Sequence, residues 1–282
     1  MRKPQLSLPA VILGFLLYTA GPCIAADGQI KIAQTESTVF PIKINQPGSY
    51  VLTTNLQVSD PNRNGILIKT NDVTLDLNGH TIRGPQSGTG KGIVASNRYT
   101  ITIRNGKVWG FGWGGIFIEN DALHPGGGHI IEGVQCPNNG STGITVTGGL
   151  VSNCTANNNG NVGITPTDST VTNCTAINNA SSGIYSVRST ISNCTIHDNG
   201  SDGITAFEST ITDCSLQGNN GEGIAIWTNN VVKGCNARAN GHYGYNIAVD
   251  GQNYVYRNVA GGNASGQFFC PGGNSCIDNV SW

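Results

Sequence analysis

Asp168, Arg188 and Glu208 stand twenty residues apart and alternate in charge. Stacked in space, such a row could grip the polar or acidic groups of a ligand. The competing reading is an exposed ion-pair ladder, which contributes little to stability. One position earlier, Val187, Phe207 and Trp227 keep the same interval, and Tyr185 lies three residues before Arg188. Aromatic rings aligned on an outer face offer flat apolar surface for sugar rings, and a contiguous apolar patch on a soluble protein marks a contact surface. A covering loop or cap would be the alternative use of such rings. Proton abstraction beside a carboxylate would need a base near the Arg188 cation, and Tyr185 is the nearest candidate.

A second concentration of chemistry lies upstream. Trp109, Phe111, Trp113 and Phe117 are followed by Glu119, Asp121, His124 and His129. Carboxylate and imidazole are metal-ligand types, but their spacing here matches no established ligand pattern, and the glycines at 126–128 loosen the segment. The favoured reading is an aromatic-lined loop, with Trp113, Phe117, Glu119 and His124 as a second candidate surface. No metal and no other cofactor is expected.

Six cysteines, Cys136, Cys154, Cys174, Cys194, Cys214 and Cys235, read as one column. Three states are open to them: reduced thiols packed as small apolar groups, disulfides between neighbours, or a soft-metal column. In-register residues lie about 4.8 Å apart with parallel Cβ vectors, a poor geometry for an unstrained disulfide, so the reduced column is favoured. Cys270 and Cys276 are expected to be linked.

These residues are placed by a repeat. Gly-Ile recurs at 143, 163, 183, 203 and 223, and the units at 163, 183 and 203 continue with Ser-Thr-(Val/Ile) and then Asn-Cys-Thr or its like. A period this short means stacked units, each burying its apolar face against the next. Twenty residues cannot hold a full strand and a full helix. They can hold one turn of a three-sided parallel coil, whose corners use Gly and Asn. A leucine-rich repeat needs several leucines per unit, and residues 163–182 contain none. Right-handed winding follows from the handedness of parallel crossovers. The earlier landmarks, Gly65-Ile66, Gly92-Ile93 and Gly115-Ile116, are spaced 27, 23 and 28 residues from their successors, with the excess falling in 83–91 and 119–128 as loops.

Strand parity sorts the side chains. Each Ile points inward, as do Val146, Pro166, Ser186, Ala206 and Ile226. Phe117, Thr145, Thr165, Tyr185 and Thr205 are expected outside, and so are Glu119, Thr147, Thr167, Val187, Phe207 and Trp227. The whole is expected to be an all-β, right-handed parallel β-helix of about ten coils. Residues 27–60 form an N-terminal cap and first coil, 61–265 the repeats, and 266–282 a C-terminal cap.

Arg2, Lys3 and the apolar run Leu8–Ala20, ending in Ala25-Ala26, have the layout of a secretory signal peptide cleaved after Ala26. A periplasmic or secreted location is therefore expected, and no transmembrane segment. Beyond residue 26 the net charge is −3, which argues against nucleic acid as a partner.

Val73-Thr74-Leu75-Asp76-Leu77-Asn78-Gly79-His80-Thr81-Ile82, with the Gly-Ile and Asn-Cys-Thr units that follow, resembles the secreted right-handed parallel β-helix repeat proteins of pectin-lyase-like fold. The family includes pectate lyases, alginate epimerases and lyases, and a periplasmic copper-site maturation protein. The resemblance implies a fold more than a chemistry. The acid and base clusters of pectate lyases have no counterpart here. Asp60-Pro61-Asn62-Arg63 matches only the first half of the Asp-Pro-His-Asp signature of alginate epimerases. The leading expectation is a polysaccharide-binding protein that uses Tyr185, Phe207, Trp227, Asp168, Arg188 and Glu208. The alternatives are a lyase or C5-epimerase acting on uronate polymers, with Arg188 and Tyr185 in the site, and a structural rod that presents its surface to a partner.

Overall fold

The computed structural model describes residues 28–121, 123, 126–249 and 251–282. The expected signal peptide and His124 lie outside the described residues. The described chain winds into a parallel β-helix with three faces. Eleven strands stack on the first face, one per turn, among them Gly114–Glu119, Ile144–Thr147, Ile164–Thr167, Ile184–Val187, Ile204–Phe207 and Ile224–Ile226. Ile144, Ile164, Ile184, Ile204 and Ile224 pair in direct succession, so the repeat seen in the sequence is the register of this sheet. The second face is built from strands such as Thr190–Ser192, and the third from strands such as Thr195–His197. In the early turns the corner between these two faces is straightened, and Ile101–Trp109 and His129–Gln135 each run through both. Residues 266–282 add strands Gly266–Phe269, Ser275–Ile277 and Val280–Ser281, each paired in parallel with the preceding turn.

Each turn sends one apolar residue inward from every face. Ile184, Ile191 and Ile196 do so in one turn, and Ile204, Ile211 and Leu216 in the next, all fully buried. Burying such a side chain contributes about 1.5–3 kcal/mol, and because the interior is continuous each turn packs on its neighbours. Val146, Ser186, Ala206 and Ile226 also point inward, as strand parity requires.

The corners are held by three ladders of buried polar side chains. In one, Asn159, Asn179, Asn199, Asn219, Asn240 and Asn263 each accept from the backbone N–H and the side-chain amide of the asparagine one turn earlier, at 2.9–3.2 Å. A second ladder begins with Ser169, Ser189 and Ser209 and continues as Asn230, Asn253 and Asn274. The third is the cysteine column. The Cys154 N–H donates to Cys174 Sγ at 3.5 Å, the Cys214 N–H to Cys235 Sγ at 3.5 Å, and the Cys235 N–H to Asn258 Oδ1 at 2.9 Å. Sulfur thus occupies a place that asparagine takes over in the turn after Cys235. The thiols in turn donate to carbonyls such as Ser192 O, 3.1 Å from Cys194 Sγ. They are reduced and buried, and they serve as hydrogen-bonding corner groups as well as apolar filling.

Cys136 does not belong to this column. Gln135 pairs with Thr155, so Cys136 lies level with Ala156, and the Val134 N–H is the group that meets Cys154 Sγ. Its interval to Cys154 is eighteen residues rather than twenty, and that offset moves it from the corner to the core wall. Burial pushes its thiol pKa well up. Cys270 and Cys276 form a disulfide with Cα atoms 6.6 Å apart.

Candidate functional site

On the outer side of the first face, the last strand position forms the row Ser96, Glu119, Thr147, Thr167, Val187, Phe207 and Trp227. The next position, at the corner, carries Asn97, Asn120, Gly148, Asp168, Arg188 and Glu208. The backbone there is left-handed, with φ of 70° at Gly148, 50° at Asp168, 45° at Arg188 and 50° at Glu208. Glycine and asparagine suit that geometry, and asparagine fills the comparable corners at Asn173, Asn178 and Asn193. Three successive turns place a charged side chain there, as other corners of the coil do at Asp198, Asp213 and Arg257.

Arg188 grips Asp168 in a bidentate pair, Nε to Oδ1 at 2.7 Å and Nη2 to Oδ2 at 2.9 Å. These hydrogen bonds hold the Asp168 carboxyl below the usual carboxylate range. The expected alternating row therefore resolves into a pair plus Glu208, whose carboxylate forms no ion pair among the described residues. Both partners of the pair are about half exposed, so the pair can open toward a ligand at small cost.

The pair closes one end of a cleft of about 750 Å³ lined by Ser96, Asn97, Glu119, Asn120, Asp121, Gly126, Thr147, Thr167, Asp168 and Arg188. Three carboxylates, an arginine and several hydroxyl and amide groups converge there. The far wall is the loop after Glu119, fixed by Asn97 and Asp121: Asn97 Nδ2 donates to Asp121 Oδ2 at 2.9 Å, and the Asp121 N–H donates to Asn97 Oδ1 at 3.0 Å. Glu119 and the Asp168–Arg188 pair, assigned by sequence to separate surfaces, thus share one cleft. The register of Glu119 with Ser96 was the sequence signal for Asn97 and Asn120.

Past Arg188 the face turns aromatic. Tyr185 and Phe207 have ring centroids 5.8 Å apart, and Phe207 and Trp227 stack at 5.7 Å with an interplanar angle of 5°. Tyr185 is 38% exposed and Trp227 52%, so no cap or loop among the described residues covers the strip. Tyr185 joins this strip and does not line the cleft.

The second candidate surface is divided by the structure. Trp113 is exposed, but Phe117, expected outside, is buried. Its ring lies under Lys91 Nζ at 4.2 Å and fills the space that Gly114 leaves open. Trp113 precedes the strand that Glu119 ends, so the two stand at opposite ends of that strand.

His129 is interior, not a ligand. Ile101 donates its N–H to Nδ1 at 3.3 Å, and Asn120 Nδ2 lies 3.1 Å from Nε2. Asn120 is oriented by two bonds to the Arg98 backbone, so a second ring proton would face a donor on either side. Burial lowers the His129 pKa. The unfolded chain takes up a proton here near about pH 6.5, which the folded chain resists. This residue's contribution is therefore complete above about pH 6.5 and is lost as pH falls from there toward the lower folded value. The urea midpoint should drop more between about pH 7.5 and about pH 5 in the wild type than in His129→Asn. Among the described residues no three His, Cys, Asp or Glu side chains are grouped to hold a metal, and no helix is long and apolar enough to cross a membrane.

Among solved structures, the A-module of mannuronan C-5 epimerase AlgE4 from Azotobacter vinelandii is similar, with a TM-score of 0.70 and 15% identity over 90% of this chain and 84% of that one. The Dettilon tailspike protein gives a TM-score of 0.62 at 15% identity, covering 89% of this chain and 61% of its own. Pectate lyase Pel9A gives 0.59 at 16%, covering 89% and 69%. At such identities the likeness is one of fold. No curated protein matches the sequence. The right-handed β-helix region family matches residues 64–189, 91–231 and 184–280, and together with the parallel coil and its in-register ladders this shows that the chain belongs to that family.

Proposed function

We propose that the protein is exported and binds a polysaccharide along the first face of its coil, without strong catalysis. The observation that carries this reading is the uncovered strip Tyr185–Phe207–Trp227, continuous with a polar cleft ending at Asp168–Arg188. Successive turns lie about 4.8 Å apart, so a sugar chain running across the strands meets new contacts at each turn: hydroxyls and charges first, then rings. The names of similar structures, a mannuronan epimerase and a pectate lyase, support a saccharide as the ligand class. Glycan-array binding compared between wild type and Trp227→Ala is the test. Because Trp227 is exposed, its loss should leave the fold intact while weakening binding at least about tenfold, the scale of a central aromatic contact. Unchanged binding by the variant would refute the aromatic face.

A second reading, a lyase or C5-epimerase acting on uronate polymers, is favoured by one observation: Glu119, Asp121 and Asp168 converge with Arg188 in the cleft. Removing the proton next to a uronate carboxylate builds negative charge that a guanidinium can neutralise, while a cleft carboxylate accepts the proton; Tyr185, expected as the base, stands in the aromatic strip outside the cleft. Formation of unsaturated uronate from alginate or pectate would reveal the lyase. Deuterium uptake into the polymer from heavy water would reveal the epimerase. Silence in both assays leaves binding.

A further inference from the structure

Charge is unevenly distributed along the axis. Residues 28–110 carry nine Lys and Arg against four Asp and Glu, whereas residues 111–282 carry four against eleven. The acidic stretch contains most of the first-face site, to which the basic turns contribute the neutral Ser96 and Asn97 but no cation. On the third face of these basic turns lies a cavity of about 370 Å³ lined by Asn55, Leu56, Gln57, Thr81, Arg83, Lys107 and Trp109. It has two cations and no carboxylate.

Register builds this cavity. Gln57, Arg83 and Trp109 form one outer row, and Thr81 and Lys107 the row beside it. The Arg83 guanidinium carbon sits 4.4 Å from the centre of the Trp109 ring. That contact leaves the guanidinium N–H groups without a hydrogen-bond partner among the described residues, and a guanidinium can meet an oxyanion with two parallel bonds. Lys107 supplies a second positive charge from the neighbouring row. Neither cation forms an ion pair among the described residues, unlike Arg104, which Asp76 neutralises at 2.9 Å, or Arg188. Around them stand neutral hydrogen-bonding groups. The Thr81 N–H is fixed on Asn55 Oδ1 at 2.9 Å, while the Thr81 hydroxyl and the Gln57 amide border the same space.

Unpaired cations of one sign in a concave site raise the local concentration of anions. We propose that this third-face cavity is a binding site for a tetrahedral oxyanion, a phosphate or sulfate group, with Arg83 and Lys107 as the charged partners and Thr81 as a neutral donor. The group is either free or carried on a sugar. The site lies apart from the first face and does not depend on what binds there.

The test titrates the full chain with sodium phosphate, sodium sulfate, glucose 6-phosphate and sodium acetate at constant ionic strength. Binding is followed by heat and by tryptophan fluorescence, with Trp109→Phe assigning the optical signal. Saturable binding of phosphate or sulfate is expected, weakened at least tenfold by Arg83→Gln and separately by Lys107→Gln, and unchanged by Lys43→Gln, a basic residue outside the cavity. Comparison of the free anions with glucose 6-phosphate tells which form is preferred. The proposal is overturned if Arg83→Gln lowers thermal stability without changing anion affinity, which would make the Arg83–Trp109 stack purely structural. It is equally overturned if Lys43→Gln weakens binding as much as the other two, or if acetate binds as tightly as phosphate and sulfate.

Discussion

Asn199→Ala is expected to lower the stability of the coil by about 3–5 kcal/mol, read as a shift in the denaturant midpoint at unchanged slope. The asparagine is fully buried and ties three turns together. Its Oδ1 accepts from the Asn179 N–H and from Asn179 Nδ2, each at 3.0 Å, while its Nδ2 donates to Ala176 O at 3.1 Å and Asn219 Oδ1 at 2.9 Å. Alanine would strand a backbone N–H and a carbonyl in the interior and leave the Asn179 amide short of one partner. Each orphaned group costs about 1–3 kcal/mol. The neighbouring Asn178 is exposed and serves only the left-handed corner, with φ of 53°, so Asn178→Ala should cost about 1 kcal/mol. Equal losses at the two positions would show that the ladder contributes nothing beyond backbone geometry.

Gly203→Val should be at least as damaging, at about 3 kcal/mol or more. A Cβ at this position would lie 2.6 Å from the carbonyl oxygen of Gly223, 2.8 Å from Leu216 Cδ2 and 2.9 Å from Asn219 Nδ2. The glycine of each Gly-Ile step from Gly115 to Gly223 is therefore a matter of space: the strand enters the first face directly over the asparagine ladder, and a side chain would push the amides out of line. At Gly272 the situation differs. That glycine is exposed and a Cβ there would meet nothing within 4 Å, so Gly272→Ala should cost less than about 1 kcal/mol. Thermal unfolding of the two variants beside the wild type checks the contrast, and a Gly203→Val protein as stable as Gly272→Ala would contradict the packing argument.

The strict part of the repeat made the fold legible. From residue 143 to 226 the period, the inward isoleucines and the outward aromatic strip all followed from counting, because in-register parallel strands turn sequence interval directly into spatial neighbourhood. What escaped lies where counting fails. Cys136 has the right chemistry at the wrong interval. Phe117 has outward parity but is covered by Lys91 of the preceding turn, a side-chain contact that parity alone does not specify. The meeting of Glu119 and Asp121 with Asp168 depends on the Asn97–Asp121 contact just after the Glu119 strand, which no periodicity describes. Sulfur's role as a corner acceptor was also hidden. It emerges only from the continuation of Cys235 into Asn258, where the residue type changes and the hydrogen bond remains.

Because each turn of the ladders bonds only to the turns before and after it, the molecule can change length without changing design. Loss of residues 160–179 would remove one whole rung from each corner and leave the flanking rungs with matching partners. Such a deletion would also take out Asp168 and bring Arg188 one step nearer the Glu119 end of the first face. Gene duplication or loss of a single twenty-residue unit is therefore a ready way to alter the span between the charged cleft and the aromatic strip, and with it the length of ligand that fits both.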